Sequence, residues 1–162
     1  MSLFTIQGLK RALVFAGNAK TIDGLELPLD PALQNRLTGI EGIDPEGDLA
    51  LIMASCQTPD LLLVSGDKRF MKALSKTEAA SEIFLSLRGR VICLESLLLG
   101  LIQSNGFEII RERISPCLMC DKAVRAAFGS GMKAEESNAV DALSKYVEEL
   151  EESVGADWLY KF

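Results

Sequence analysis

Apolar positions in this chain follow two spacings, and together they lay out most of its elements. Over residues 3–16, Leu-Phe-Thr-Ile-Gln-Gly-Leu-Lys-Arg-Ala-Leu-Val-Phe-Ala predicts an amphipathic helix ended by Gly17-Asn18. Residues 21–31 are rich in turn formers, and Asp30-Pro31 then opens a helix to about Leu37, with Asp as N-cap and Pro at the first helical position. Gly39 to Gly47 reads as a loop carrying Glu41, Asp44 and Glu46, followed by an apolar helix from Asp48 to Cys56 and a turn at Pro59-Asp60. Leu61-Leu-Leu-Val-Ser65 is a short continuous apolar run, the pattern of a buried strand, and Gly66-Asp67 follows at its carboxyl end. Lys68 to Lys76 and Thr77 to Leu87 predict two helices. Arg90-Val-Ile-Cys-Leu94 predicts a second buried strand, and Glu95 to Ser104 a leucine-rich helix stopped by Asn105-Gly106. This alternation implies an α/β fold, a parallel sheet with helices on both faces.

Beyond Ile114 the pattern becomes helical. Asp121 to Phe128 predicts a helix running into a turn at Gly129-Ser-Gly131, a segment too short and in the wrong context for a phosphate-binding loop. Glu135 to Val154 predicts a longer helix with Val140, Leu143, Val147, Leu150 and Val154 on one face and an acidic opposite face, Glu148-Glu-Leu-Glu-Glu152. The last residues, Ala156-Asp-Trp-Leu-Tyr-Lys-Phe162, are aromatic and apolar and call for burial, on the chain's own core or on a partner. No internal repeat or low-complexity stretch interrupts the chain, and its 162 residues make a single domain with a helical C-terminal extension from about residue 115.

Composition narrows the chemistry. With 48% hydrophobic and 25% charged residues the chain can build a core and stay in water. No apolar run reaches the roughly 20 residues a membrane helix needs. Met1-Ser-Leu-Phe-Thr-Ile-Gln7 lacks the basic start and small-residue cleavage site of a signal peptide, so a cytoplasmic location is expected. A formal net charge of −6 argues against broad electrostatic capture of nucleic acid, although Lys68, Arg69 and Lys72 cluster beside Asp67, and Arg111 and Arg113 form a second basic group.

The chain has no histidine, which removes Ser-His-Asp and Cys-His catalysis and leaves carboxylates, lysines, tyrosines or a bound metal. Of the four cysteines, Cys56 and Cys93 sit in apolar runs and read as small core residues. Cys117-Leu-Met-Cys120 is a lone CxxC. It follows Ile114-Ser-Pro116 rather than a strand, as a redox motif would, and zinc would need two further ligands, such as the same pair from a second chain. Two structural thiols are the simpler reading. Asp48 and Asp67 are the remaining candidates, because neighbouring βα elements bring such acids to the carboxyl rim of a parallel sheet, where α/β proteins place ligands. Each also has an ordinary structural use as a helix N-cap, worth about 1 kcal/mol.

The stretch Asp48-Leu-Ala-Leu-Ile-Met-Ala-Ser55, followed by Ser65-Gly-Asp67-Lys68-Arg69-Phe70 and Val91-Ile-Cys-Leu-Glu-Ser-Leu-Leu98, resembles the C-terminal half of a PIN domain over roughly residues 44–104. The resemblance implies metal-dependent phosphodiester hydrolysis, usually of RNA. Asp48 and Asp67 would be ligands to Mg2+ or Mn2+, Ser65 would support the site by hydrogen bonding, and Lys68 and Arg69 would be candidates for phosphate contact. The family opens with a strand ending in Asp and a second acid on a helix. Here the N-terminal segment reads as a helix and the first acid, Asp23, falls in a turn, so the acidic set is incomplete. The alternative is a catalytically inactive protein-interaction or homodimerisation module that uses the final helix with Trp158, Tyr160 and Phe162. A phosphotransfer domain built on Asp67 ranks last, for want of a glycine-rich loop.

Overall fold

A computed structural model describes residues 31–45, 47–58, 60–119 and 121–162. The expected N-terminal helix over 3–16, the turn containing Asp23, and Glu46 and Cys120 lie outside these residues. The described chain is mainly helical: α1 (Pro31–Leu37), α2 (Gly47–Gln57), α3 (Lys68–Lys76), α4 (Ser81–Ser86), α5 (Leu94–Asn105), α6 (Phe107–Ile114), α7 (Lys122–Phe128) and α8 (Glu136–Val154). Two short strands, β1 (Leu63–Ser65) and β2 (Val91–Cys93), pair in parallel with Leu63 opposite Val91 and Ser65 opposite Cys93.

The strands are shorter than the apolar runs that announce them. Leu61 and Leu62 are 44% and 45% exposed and precede the ladder, which starts when Leu63 N–H donates to the Arg90 carbonyl at 2.9 Å. Arg90 itself stays outside the strand, its guanidinium donating to the carbonyls of Ser55, Thr58 and Ser86 and so tying α2 and α4 to the start of β2. Thr77 to Leu87 is a 3-10 turn over Glu78–Ala80 followed by α4, rather than one helix. A helix the periodicity reading passed over, α6, buries Phe107 and Ile110 and follows directly on α5. Gly106 separates the two at φ 88°, a left-handed conformation that favours glycine.

Two apolar cores form, and α8 runs through both. The first lies around the sheet, where Ile52, Phe70, Met71 and Leu87 pack with Leu150 and Val154 of α8. The second lies among α5, α6 and α7, where Ile102, Phe107 and Phe128 pack with Ala139 and Leu143 of α8. Beyond α8 the tail returns to the first core. Trp158 is 1% exposed, stacks on Phe84 with ring centroids 4.8 Å apart, and donates its indole N–H to the Phe84 carbonyl at 2.7 Å. Leu159 bridges Val91 in parallel, and Tyr160 N–H donates to the Val91 carbonyl at 2.8 Å, so the tail flanks β2 as a short extra sheet edge. Among the described residues no helix is long and apolar enough to cross a membrane.

Candidate carboxylate site at the carboxyl end of the sheet

Both strands deliver polar residues at the same end. β1 ends at Ser65 and leads through Gly66 to Asp67 and Lys68; β2 ends at Cys93 and leads through Leu94 to Glu95 and Ser96. Because the strands are parallel and in register, these two exits lie side by side, the rim where open α/β sheets gather ligands.

Asp67 is first of all a helix cap. Its Oδ1 accepts the Arg69 backbone N–H at 2.8 Å, closing the first turn of α3, while Ser65 Oγ accepts the Asp67 backbone N–H at 3.1 Å. The Arg69 side chain then folds back on the same carboxylate, its Nη2 reaching Oδ2 at 2.7 Å and its Nε reaching Oδ1 at 3.2 Å. That hydrogen-bonded guanidinium, together with the cap and its charge, holds the Asp67 carboxyl below its ordinary 3.8 even though partial burial pulls the other way. Arg69 is raised in turn, by the hydrogen bond and charge of Asp67 and, less strongly, by the negative charge of Asp48.

Asp48 lies inside the first turn of α2 rather than capping it. Its Oδ2 accepts the Asp44 N–H at 3.0 Å, and Asp44 Oδ2 accepts the Gly47 N–H at 2.9 Å, a reciprocal arrangement that makes Asp44 the capping acid. The cap expected of Asp48 therefore belongs to Asp44.

Lys68 and Arg69 part ways. Arg69 stays on the surface, its side chain 85% exposed. Lys68 turns inward, places Nζ 2.5 Å from Glu95 Oε1, and lies 4.7 Å from the ring centre of Tyr146 on α8. Glu95 is 1% exposed, and its Oε2 has no hydrogen-bond partner among the described residues. A cleft of about 290 Å3 opens here, lined among others by Gly66, Lys68, Glu95, Lys122 and Tyr146. Sequence reasoning missed Glu95, although the signal was available: an acid just past the carboxyl end of the second strand, placed as Asp67 is placed past the first. Tyr146 had no such signal, since it lies on α8 and meets Lys68 only through tertiary packing.

Among the described residues no group of three or more Cys, Asp or Glu side chains stands close enough to hold a metal ion. Cys93 is buried and its thiol is pushed up, chiefly by desolvation, as suits a core residue; Cys56 and Cys117 are half-buried free thiols. Compared with known proteins, the chain matches no family model, no curated protein and no solved structure.

Proposed function

We propose that the carboxyl end of this sheet is the metal site of a PIN-like domain, a parallel sheet with helices on both faces, that hydrolyses phosphodiester bonds of RNA. One observation supports the reading above the others: Asp67 stands just past the carboxyl end of β1, its backbone held by the Ser65 hydroxyl and its carboxylate already paired with a positive charge, the Arg69 guanidinium at 2.7 Å. Asp67 together with Asp48 would supply the hard carboxylate oxygens that suit Mg2+ or Mn2+ held largely through water. The ion, when bound, would supply an activated water and neutralise charge on the phosphate.

The residues divide the remaining work. Asp67 and Asp48 would hold the cation, while Ser65 fixes the Asp67 backbone through its hydroxyl. Arg69, exposed beside Asp67, would offer its donors to the phosphate. A pair this exposed is largely screened by solvent, so it holds Arg69 only weakly.

The test is a calorimetric Mn2+ titration of the intact chain beside Asp67→Asn, both checked for folding, followed by incubation of each with a short single-stranded RNA. Asparagine still caps a helix, so the variant keeps its fold while losing the charge. Binding present in the parent and lost in Asp67→Asn supports the reading, and metal-dependent cleavage by the parent alone extends it. Equal binding in both proteins, or none in either, removes it.

A second reading, a catalytically inactive interaction or homodimerisation module, has a specific observation in its favour. Phe162 is 60% exposed where its ring lies over Gly100 of α5. Trp158 and Leu159 are committed to the chain's own core, so of the tail aromatics Phe162 is the one that leaves most of its surface exposed. Deleting residues 156–162 would strip the core, which makes Phe162→Glu the cleaner probe: an elution volume unaltered by that change counts against a homodimer through the tail.

A further inference from the structure

The Lys68–Glu95 pair is poorly explained by stability. A carboxylate this buried, with one oxygen unpartnered among the described residues, carries a desolvation cost, and apolar residues of the same size are often as stable or more so at such positions. What the pair does achieve is a fixed ammonium. Glu95 takes one of its donors, the Tyr146 ring takes up one side, and Lys68 keeps a quarter of its side chain exposed at the cleft. An ammonium has three donors, so some remain for a ligand.

Gly66 supplies an independent observation. Its φ is not in the left-handed region, so its backbone would accept other residues. A Cβ there would make only ordinary contact with Leu94 Cβ at 3.9 Å, and Gly66 lines the same cleft as Lys68. Glycine at this place leaves that part of the cleft wall without a side chain.

We propose that Glu95 and Tyr146 are positioning residues that hold the Lys68 ammonium in this cleft as a donor to one backbone phosphate of a single-stranded RNA. The inference rests on the RNA part of the reading above and not on its metal. Bulk charge does not carry it: the cleft sets Lys122 and Arg69 against Asp121 and Glu149, and the whole chain is at −6. A phosphate contact under those conditions depends on placement, which makes the sign of the test informative.

The experiment measures binding of a labelled, unstructured oligoribonucleotide to the full chain in EDTA, at several salt concentrations. Glu95→Gln removes a negative charge, so general electrostatics predicts tighter binding; a positioning role predicts binding about tenfold weaker, the size of one charge-assisted hydrogen bond. The double variant Lys68→Met with Glu95→Met leaves net charge unchanged and replaces the pair by packed apolar chains, which protects the fold if Glu95→Gln fails to fold. It should bind about tenfold more weakly, with a salt slope smaller by about 0.7 for the lost phosphate contact. Glu95→Gln binding as well as the parent or better, a double variant that matches the parent, or a parent that binds no RNA would each overturn the inference. RNA binding that follows these variants while Mn2+ fails to bind leaves the inference standing and removes the metal reading. Mn2+ binding without RNA binding does the reverse.

Discussion

Asp67 serves the fold and the candidate site with the same two oxygens. As a cap it satisfies the first turn of α3, and as an ion-pair partner it holds Arg69. Asp67→Ala should therefore cost about 1 kcal/mol by denaturant titration, whereas Asp67→Asn should cost little, since asparagine caps nearly as well. The ion pair has a pH signature. Because Arg69 depresses the Asp67 carboxyl in the folded state, the pair stabilises the protein above the unfolded carboxyl's ordinary 3.8, and that contribution fades as pH falls through the lower folded value. Arg69→Ala should bring the Asp67 titration, followed by carboxyl NMR, back towards 3.8, and its stability deficit at neutral pH should shrink in acid. A titration unmoved by the substitution would mean that the cap alone depresses Asp67. If Arg69 stands where a metal would bind, the same variant should also bind Mn2+ more tightly than the parent.

At the scale of elements, the tail and α8 organise what the rest of the chain leaves open. Trp158 seals β2 and α4 through stacking, a hydrogen bond and nearly complete burial. Trp158→Ala should destabilise the protein by about 3–5 kcal/mol in denaturant, and a loss below about 1 kcal/mol would contradict its place in the core. Periodicity made most of these elements legible. α3 begins at Lys68 and ends at Lys76 as its apolar spacing and its Asp cap require, and the face of α8 buries Leu143, Leu150 and Val154 as expected. Less was legible where tertiary contacts decide. Leu61 and Leu62 look like strand residues but have no ladder to join in β1, and α6 escaped notice because its apolar signal is confined to two turns between a glycine and a proline.

Over the whole molecule, α8 is the element that makes the sheet region and the α5–α7 region depend on each other. Its N-terminal half fills one core with Ala139 and Leu143, and its C-terminal half fills the other with Leu150 and Val154. Leu143→Ala, a cavity worth about 2–5 kcal/mol, should therefore lower a single cooperative thermal transition seen alike by circular dichroism and by Trp158 fluorescence. Separate transitions for the two probes would mean that the cores melt independently. The candidate site was legible only in part for the same long-range reason. Asp67 and Ser65 are neighbours in sequence and meet through one hydrogen bond, while Glu95 and Tyr146 reach Lys68 from α5 and α8. No local motif announces a contact made across such separations.

The proposed function requires Asp48 and Asp67 to share one cation site at the carboxyl end of the sheet. Its most direct test is paramagnetic broadening of backbone amide signals in a Mn2+ titration of the full chain. A shared site should give broadening at low Mn2+ centred on Asp48 and on Gly66 to Arg69, absent in Asp67→Asn. Broadening scattered over the acidic face of α8, or none near Asp48 and Asp67, would contradict it.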